Sequence, residues 1–353
     1  MVQQGGLLQS RAMSAPPIGV LLLQLGTPDA PTPAALRRYL AQFLRDRRVI
    51  DLSPAIWWPI LYGVVLRTRP ARSARLYQKV WTAAGSPLLA TTLEQAAGLR
   101  TRLNGTASSS PGRRGEGDGA SVRVAVAMRY GNPSIASAVG ALIAEGCDRL
   151  LAFPMYPQYA GATTGSSLEA LYAHLATLRV VPSIRVVPPY FEDPLYIQAL
   201  AATARDALAD WQPDHVVVSF HGLPKRYATA GDPYPQQCQA TARALTASMG
   251  WRDDAVSLTF QSRFGPEEWL TPYTDKTLEA LASRKLPRVA AICPGFTADC
   301  LETIEEMGMT NGELYERAGG GEYRLLPCVN AHPVWLDAMA DIARRELAGW
   351  MGS

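Results

Sequence analysis

Short runs of β-branched and leucine residues alternate along the chain with longer alanine- and leucine-rich stretches of helical period. Residues 20–25, 122–128, 150–153, 184–187, 216–220, 256–260 and 289–293 predict strands. Residues 134–145, 167–177, 194–209, 236–249, 275–284 and 333–348 predict helices. The strands are apolar throughout rather than at every second position, so both faces must be covered. That pattern predicts an α/β fold built on parallel sheet.

The order of turns repeats. Leu25-Gly26-Thr27-Pro28 follows the first strand, and His221-Gly222-Leu223-Pro224 follows the strand VVVSF. Leu151-Ala152-Phe153-Pro154 leads through a loop to TTGSSLEAL, and Ala291-Ile292-Cys293-Pro294 leads through a loop to TADCLETI. Two similar Rossmann-like halves are expected, 18–188 and 189–349, joined near 187–193 with a cleft between them. Residues 1–17 read as a loose tail, and the Gly/Ser-rich stretch 104–119 as a flexible surface insertion.

Composition narrows the class. A chain of 353 residues with 48% hydrophobic content is long and apolar enough for a full core. A net charge of +3 gives no electrostatic case for a nucleic-acid partner. The five cysteines are scattered and form no CxxC pair, which fits a reducing cytoplasm rather than a disulfide or zinc framework. The longest apolar run, 56–66, is about half a membrane span and contains Pro59.

In open α/β sheets, ligands meet the carboxyl ends of the strands. His221 stands at such an end, with a glycine beside it that leaves room. A neutral imidazole there can accept a proton or bind a metal, although a turn-stabilising ring fits the same placement. Asp299, Glu302 and Glu306 share one face of an expected helix. Asp299 with Glu302 equally makes a capping box. Arg129-Tyr130, Tyr156 and Tyr159 offer aromatic walls with polar anchors for a flat apolar ligand. Thr163–Ser167 can seat a carboxylate or simply cap a helix. No GxGxxG, Walker A, HExxH or GxSxG motif is present, so nucleotide-dependent hydride or phosphoryl transfer and serine hydrolysis lose support.

Taken together, these segments resemble the ferrochelatase family across residues 19–347. The resemblance rests on LLLQLGTPDAP, VWTAAGSPL, AMRYGNPSI, FPMYPQYAGATTGSSLEAL, PPYFEDPLYIQAL, SFHGLPKRY, GDPYPQQC, TFQSRFGPEEWLTPYTD and CPGFTADCLETIEEM. It implies a chelatase-type fold with the porphyrin between two halves. The implied reaction is insertion of Fe(II) into protoporphyrin IX with release of two protons, the last step of haem biosynthesis. It makes His221 and Glu302 the catalytic and iron-site residues, with Glu306 further along an iron path. Leu25, Arg129, Tyr130, Tyr156 and Tyr159 become porphyrin-binding residues.

Three departures qualify the match. Many members carry a second histidine two residues before the glutamate, where this chain has Cys300. The CPGFTADC stretch is of the kind found in cluster-free members, so no [2Fe–2S] cluster and no cofactor beyond substrate Fe(II) is expected. The dimerisation extension of the animal enzymes is absent, which favours a monomer. A coproporphyrin III or cobalt chelatase of the same fold is the nearest alternative, and a non-catalytic tetrapyrrole carrier the more distant one. Residues 56–66 correspond to a lip over the cleft. With Trp57, Trp58, Arg67, Arg69, Arg72 and Arg75, that lip suits peripheral contact with an anionic membrane.

Overall fold

The computed structural model describes residues 15–105 and 120–351. The expected tail and insertion therefore fall almost wholly outside the described residues. The first half runs β1 (Ile18–Thr27), α1 (Pro33–Phe43), α2 (Pro54–Ile60), the π-turn π1 (Leu61–Val65), α3 (Leu66–Val80), α4 (Pro87–Gly105), β2 (Val122–Gly131), α5 (Ile135–Ala144), β3 (Arg149–Pro154), π2 (Gly161–Gly165), α6 (Ser166–Leu175) and β4 (Ser183–Val186). The second half runs α7 (Pro194–Ala207), β5 (His215–His221), α8 (Lys225–Thr229), α9 (Tyr234–Met249), β6 (Val256–Gln261), α10 (Thr274–Ser283), β7 (Arg288–Ile292), the π-helix π3 (Glu302–Thr310), α11 (Asn311–Arg317), β8 (Glu322–Leu325) and α12 (Pro333–Leu347).

Each half builds a four-stranded parallel sheet, ordered β2-β1-β3-β4 and β6-β5-β7-β8. The two orders are one permutation used twice, which is the repeat seen in the turns. All seven expected strands are present, and β8 is an addition. Its sequence, EYRL, alternates polar and apolar residues because it is an edge strand with one face towards solvent. The central strands β1 and β5 are buried along almost their whole length.

One core joins the halves. Ile18, Val20 and Leu22 of β1 share a cluster with Leu99 of α4, Val218 of β5 and Trp335 of α12. Helix α12 packs on both α4 and α7, so the chain's last helix returns to the first half. Trp335 stacks on Tyr190 and meets Tyr196 edge-on, with ring centroids 5.9 and 5.7 Å apart.

From Pro54 to Val80 the chain is helical, with prolines inside α2 and α3. Pro70 has no N–H for the Leu66 carbonyl, and that oxygen accepts from Arg37 Nη1 at 3.0 Å instead. Trp57 turns inwards, its Nε1 donating to Leu44 O at 2.6 Å. Only Trp58 of the tryptophan pair faces solvent, which corrects the expectation that both would.

The loop between α1 and α2 is fastened by a buried carboxylate. Asp46 Oδ2 accepts from Arg129 Nη2 at 2.6 Å, Tyr130 OH at 2.8 Å and Ser166 Oγ at 2.5 Å. Burial alone would raise the Asp46 pKa. The hydrogen bonds from Ser166, Tyr130 and the Arg48 amide, with the Arg129 charge, outweigh it and lower the pKa. A depressed carboxyl stabilises the fold above its unfolded pKa of about 3.9 and loses that contribution as pH falls through the folded value. Asp46→Asn should therefore destabilise the fold by about 1–3 kcal/mol at neutral pH. In denaturant titrations the gap to wild type should narrow below about pH 4, and a gap independent of pH would show that the charge of Asp46 contributes nothing.

Candidate functional site

Three second-half elements converge at the carboxyl end of β5. His221 is the last residue of β5 and pairs in register with Gln261, the last residue of β6. Gly222 follows, and its N–H donates to Gln261 O at 2.8 Å. A Cβ at Gly222 would stand 2.8 Å from that same oxygen and 3.1 Å from Trp269 Cε3. The His-Gly dipeptide thus reflects a close approach that only glycine permits.

The imidazole is oriented by its own backbone. His221 Nδ1 lies 2.7 Å from Gly222 O. A carbonyl oxygen only accepts, so Nδ1 carries the proton and the neutral ring keeps a lone pair on Nε2.

The third element is π3, in place of the ordinary helix expected from sequence. With roughly 4.4 residues per turn, residues i and i+4 of a π-helix lie about 33° apart around the axis, so Glu302 and Glu306 share one side while Glu305 turns to another. Carbonyls along it take bonds from outside. Gln261 Nε2 donates to Glu302 O at 3.1 Å, Asn311 Nδ2 to Glu306 O at 2.8 Å, and Tyr323 OH to Met307 O at 2.7 Å.

Asp299 takes no part in this face, and no capping box forms. Its carboxylate accepts from Thr303 Oγ1 at 2.9 Å and Asn330 Nδ2 at 2.6 Å. Those bonds draw it away from Glu302 and towards the loop before α12.

Glu306 lies within electrostatic reach of both His221 and Glu302. Burial raises its pKa and the neighbouring Glu302 charge adds to the rise, while a 2.5 Å hydrogen bond from Ser262 Oγ opposes it, as would His221 whenever the ring takes up a proton. Glu305 is buried and pairs instead with Lys79 of α3, Nζ to Oε1 at 2.8 Å. This pair ties the last turn of α3 to π3. Arg226 makes a second crossing between the halves, bonding Asp51 and Glu267 at 2.8 Å each.

The first-half candidates stand differently. Arg129 and Tyr130 are committed to Asp46 and Ser166, and the Tyr130 ring is fully buried. Tyr156 is buried, with its hydroxyl 3.5 Å from Ser167 Oγ, and burial raises its pKa. Tyr159 is half-buried, held by its amide on Gln237 Oε1 at 2.7 Å. Leu25 is half-buried beside Tyr39 and Tyr130. Tyr39 and Tyr77 also sit close enough to Glu302 to feel its charge. Thr163, Thr164 and Gly165 lie within π2, and Ser166 serves Asp46 rather than a helix cap.

Sequence reasoning missed Asp46, Lys79, Gln261 and Ser262. For Gln261 and Ser262 a signal existed, because the strand-end rule that picked out His221 points equally to the end of β6. Asp46 and Lys79 had none, since their partners are 83 and 226 residues away.

Known proteins resemble this chain along nearly its whole length. The sequence profile of the ferrochelatase family matches residues 17–347. The ferrochelatase of Thioalkalivibrio sulfidiphilus is 48% identical over 94% of this chain and 88% of its own length. Those of Chromobacterium violaceum and Rhizobium meliloti are 47% and 46% identical, each over 95% of this chain and over 90% and 96% of their own lengths. Among solved structures, SirB from Bacillus subtilis with Fe3+ superposes with a TM-score of 0.50 at 15% identity, covering 76% of this chain and 94% of that one. The last comparison speaks for the two-half fold alone. With a profile match spanning nearly the whole length and relatives close to half identical, the chain belongs to the ferrochelatase family.

Proposed function

We propose that the protein is a ferrochelatase that inserts Fe(II) into protoporphyrin IX and releases the two pyrrole protons. The observation that carries this reading is a free imidazole lone pair within electrostatic reach of a carboxylate pair on one side of π3, at one strand end. Family membership supplies the substrate class.

The reaction sets three demands. A planar macrocycle keeps its nitrogen lone pairs in the ring plane, so the cleft must bend it to expose them. Such distortion costs about 1–5 kcal/mol, drawn from binding elsewhere on the ligand. The apolar and aromatic first-half wall around Leu25 and Tyr39 supplies that binding. Next, the pyrrole N–H groups need a base, and His221 Nε2 is unprotonated in the tautomer fixed by Gly222. Finally, a dehydrating cation needs oxygen donors along its route, which Glu306 and then Glu302 provide from one face of π3.

His221→Ala should lower kcat by about 10²–10⁴-fold while protoporphyrin binding, read by fluorescence, stays near wild type. A variant keeping more than a tenth of wild-type kcat would remove His221 from the chemistry. An anaerobic assay with protoporphyrin IX and coproporphyrin III side by side tests the substrate. Faster turnover of the latter would assign the protein to the alternative reaction.

The carboxylates should separate kinetically. Glu302→Gln is expected to cripple kcat, and Glu306→Gln to act mainly on the apparent KM for iron. Equal losses of kcat would contradict that order along π3.

We also propose that the lip rests on anionic membrane surfaces. Among the described residues no helix is long and apolar enough to cross a membrane. The lip instead exposes Ile56, Trp58, Ile60 and Val64, followed by exposed Arg67, Arg69, Arg72 and Arg75. An apolar edge beside a cationic one suits the lipid–water boundary and anionic headgroups. Anionic liposomes should sediment the protein at low salt and release it at high salt. The pair Trp58→Ser with Ile60→Ser, which leaves Trp57 in place, should abolish binding. Undiminished sedimentation of that pair would sink the proposal.

A further inference from the structure

Ser262 follows the last residue of β6 and holds a left-handed backbone, φ +67°, in a region that favours glycine. Its hydroxyl donates to Glu306 Oε2 at 2.5 Å. One residue earlier, Gln261 pairs with His221 in register and donates its side-chain amide to the Glu302 carbonyl at 3.1 Å. Gln261 is itself fixed, because Oε1 accepts from Ser219 Oγ at 2.8 Å. Two consecutive residues therefore touch β5 and both site glutamates. A strained conformation at a non-glycine residue persists where the surroundings over-determine it, and such positions cluster at functional sites.

We infer that Ser262 is a positioning residue, kept in a left-handed conformation so that its hydroxyl aims the Glu306 carboxylate along the face of π3 that Glu302 occupies. The inference rests on the proposed place of Glu306 on the iron route. It gives Ser262 a role in delivery of the cation and none in proton transfer or porphyrin binding. Gln261 serves the same end through the backbone, holding the start of π3 against the strand pair that carries His221.

The left-handed backbone makes a clean test available. Ser262→Gly removes the hydroxyl and relieves the strain together, whereas Ser262→Ala removes the hydroxyl and keeps the strain. The glycine variant should melt at the wild-type temperature or above it, and the alanine variant at or below it. Both should raise the apparent KM for Fe(II) by about tenfold, the scale of one hydrogen bond to a charged group. In both, kcat and the KM for protoporphyrin should stay within about twofold of wild type, well inside that tenfold effect. Combining Ser262→Gly with Glu306→Gln should be no worse than Glu306→Gln alone, since the hydroxyl acts through that carboxylate.

A raised iron KM in Glu306→Gln with a normal one in Ser262→Gly overturns this inference and leaves the iron route standing. A normal iron KM in Glu306→Gln overturns both. Loss in the alanine variant without loss in the glycine variant would place the effect in the backbone. Additive losses in the double variant would place it on a group other than Glu306. Either result also overturns the assignment.

Discussion

Two glycines at the ends of the central strands decide where everything else around the cleft can stand. Gly26, at the end of β1, opposes Tyr130 in register, and a Cβ there would meet the Tyr130 carbonyl oxygen at 1.8 Å. Gly222, after β5, approaches the Gln261 carbonyl closely enough that a Cβ would stand 2.8 Å away. In each half the central strand leans on the same neighbour, β2 or β6, through a residue with no side chain. That close approach leaves no room for any other residue and so fixes the spacing of the strand ends. Side chains set there inherit this precision without depending on loop order.

The π-helix depends on its neighbours more than an α-helix does. Residues i and i+4 diverge by about 40° around an α-helix and by about 33° around a helix of about 4.4 residues per turn, so either would set Glu302 and Glu306 on one side. Such helices bond their own carbonyls poorly, and π3 relies on Gln261, Asn311 and Tyr323 from three neighbouring elements. Its shape is thus a property of the surrounding fold. Lys79 extends that dependence to α3, because its pair with Glu305 holds another side of π3.

How much was legible in the sequence follows from how local each cause is. Seven strands could be read because burial on both faces writes itself as a continuous apolar run. Strand β8 was not, because Glu322 and Arg324 break the run on its open side. His221 and Glu302 stood out through their motifs and their place after strands. The π geometry had no local signature, since Glu302 to Thr310 reads as an ordinary amphipathic helix with an acidic first turn. The partners that turn it are 41 residues away at Gln261 and 44 at Ser262, and pattern reading within a short window does not reach them. Trp57 was misjudged for a related reason. Its hydrophobicity was plain, but the carbonyl that captures its indole belongs to Leu44, on the far side of a loop.

The repeat also explains why the two halves do different work with one topology. By the turn pattern, Leu25 in the first half stands where His221 stands in the second. The first-half strand ends carry groups already spent on each other: Arg129 and Tyr130 on Asp46, Ser166 on both. Their polarity is consumed inside the wall, which leaves an apolar and aromatic face around Leu25 and Tyr39. The second-half strand ends hold their ionisable groups by the backbone or by one oxygen each. His221 keeps Nε2 free, and the Glu306 carboxylate takes its hydrogen bonds from Ser262 alone among the described residues. A saturated network makes a rigid wall, and a partly bonded one makes a reactive edge. In the proposed reaction a flat apolar ligand lying between them would meet shape on one side and chemistry on the other, and a metallation site needs both.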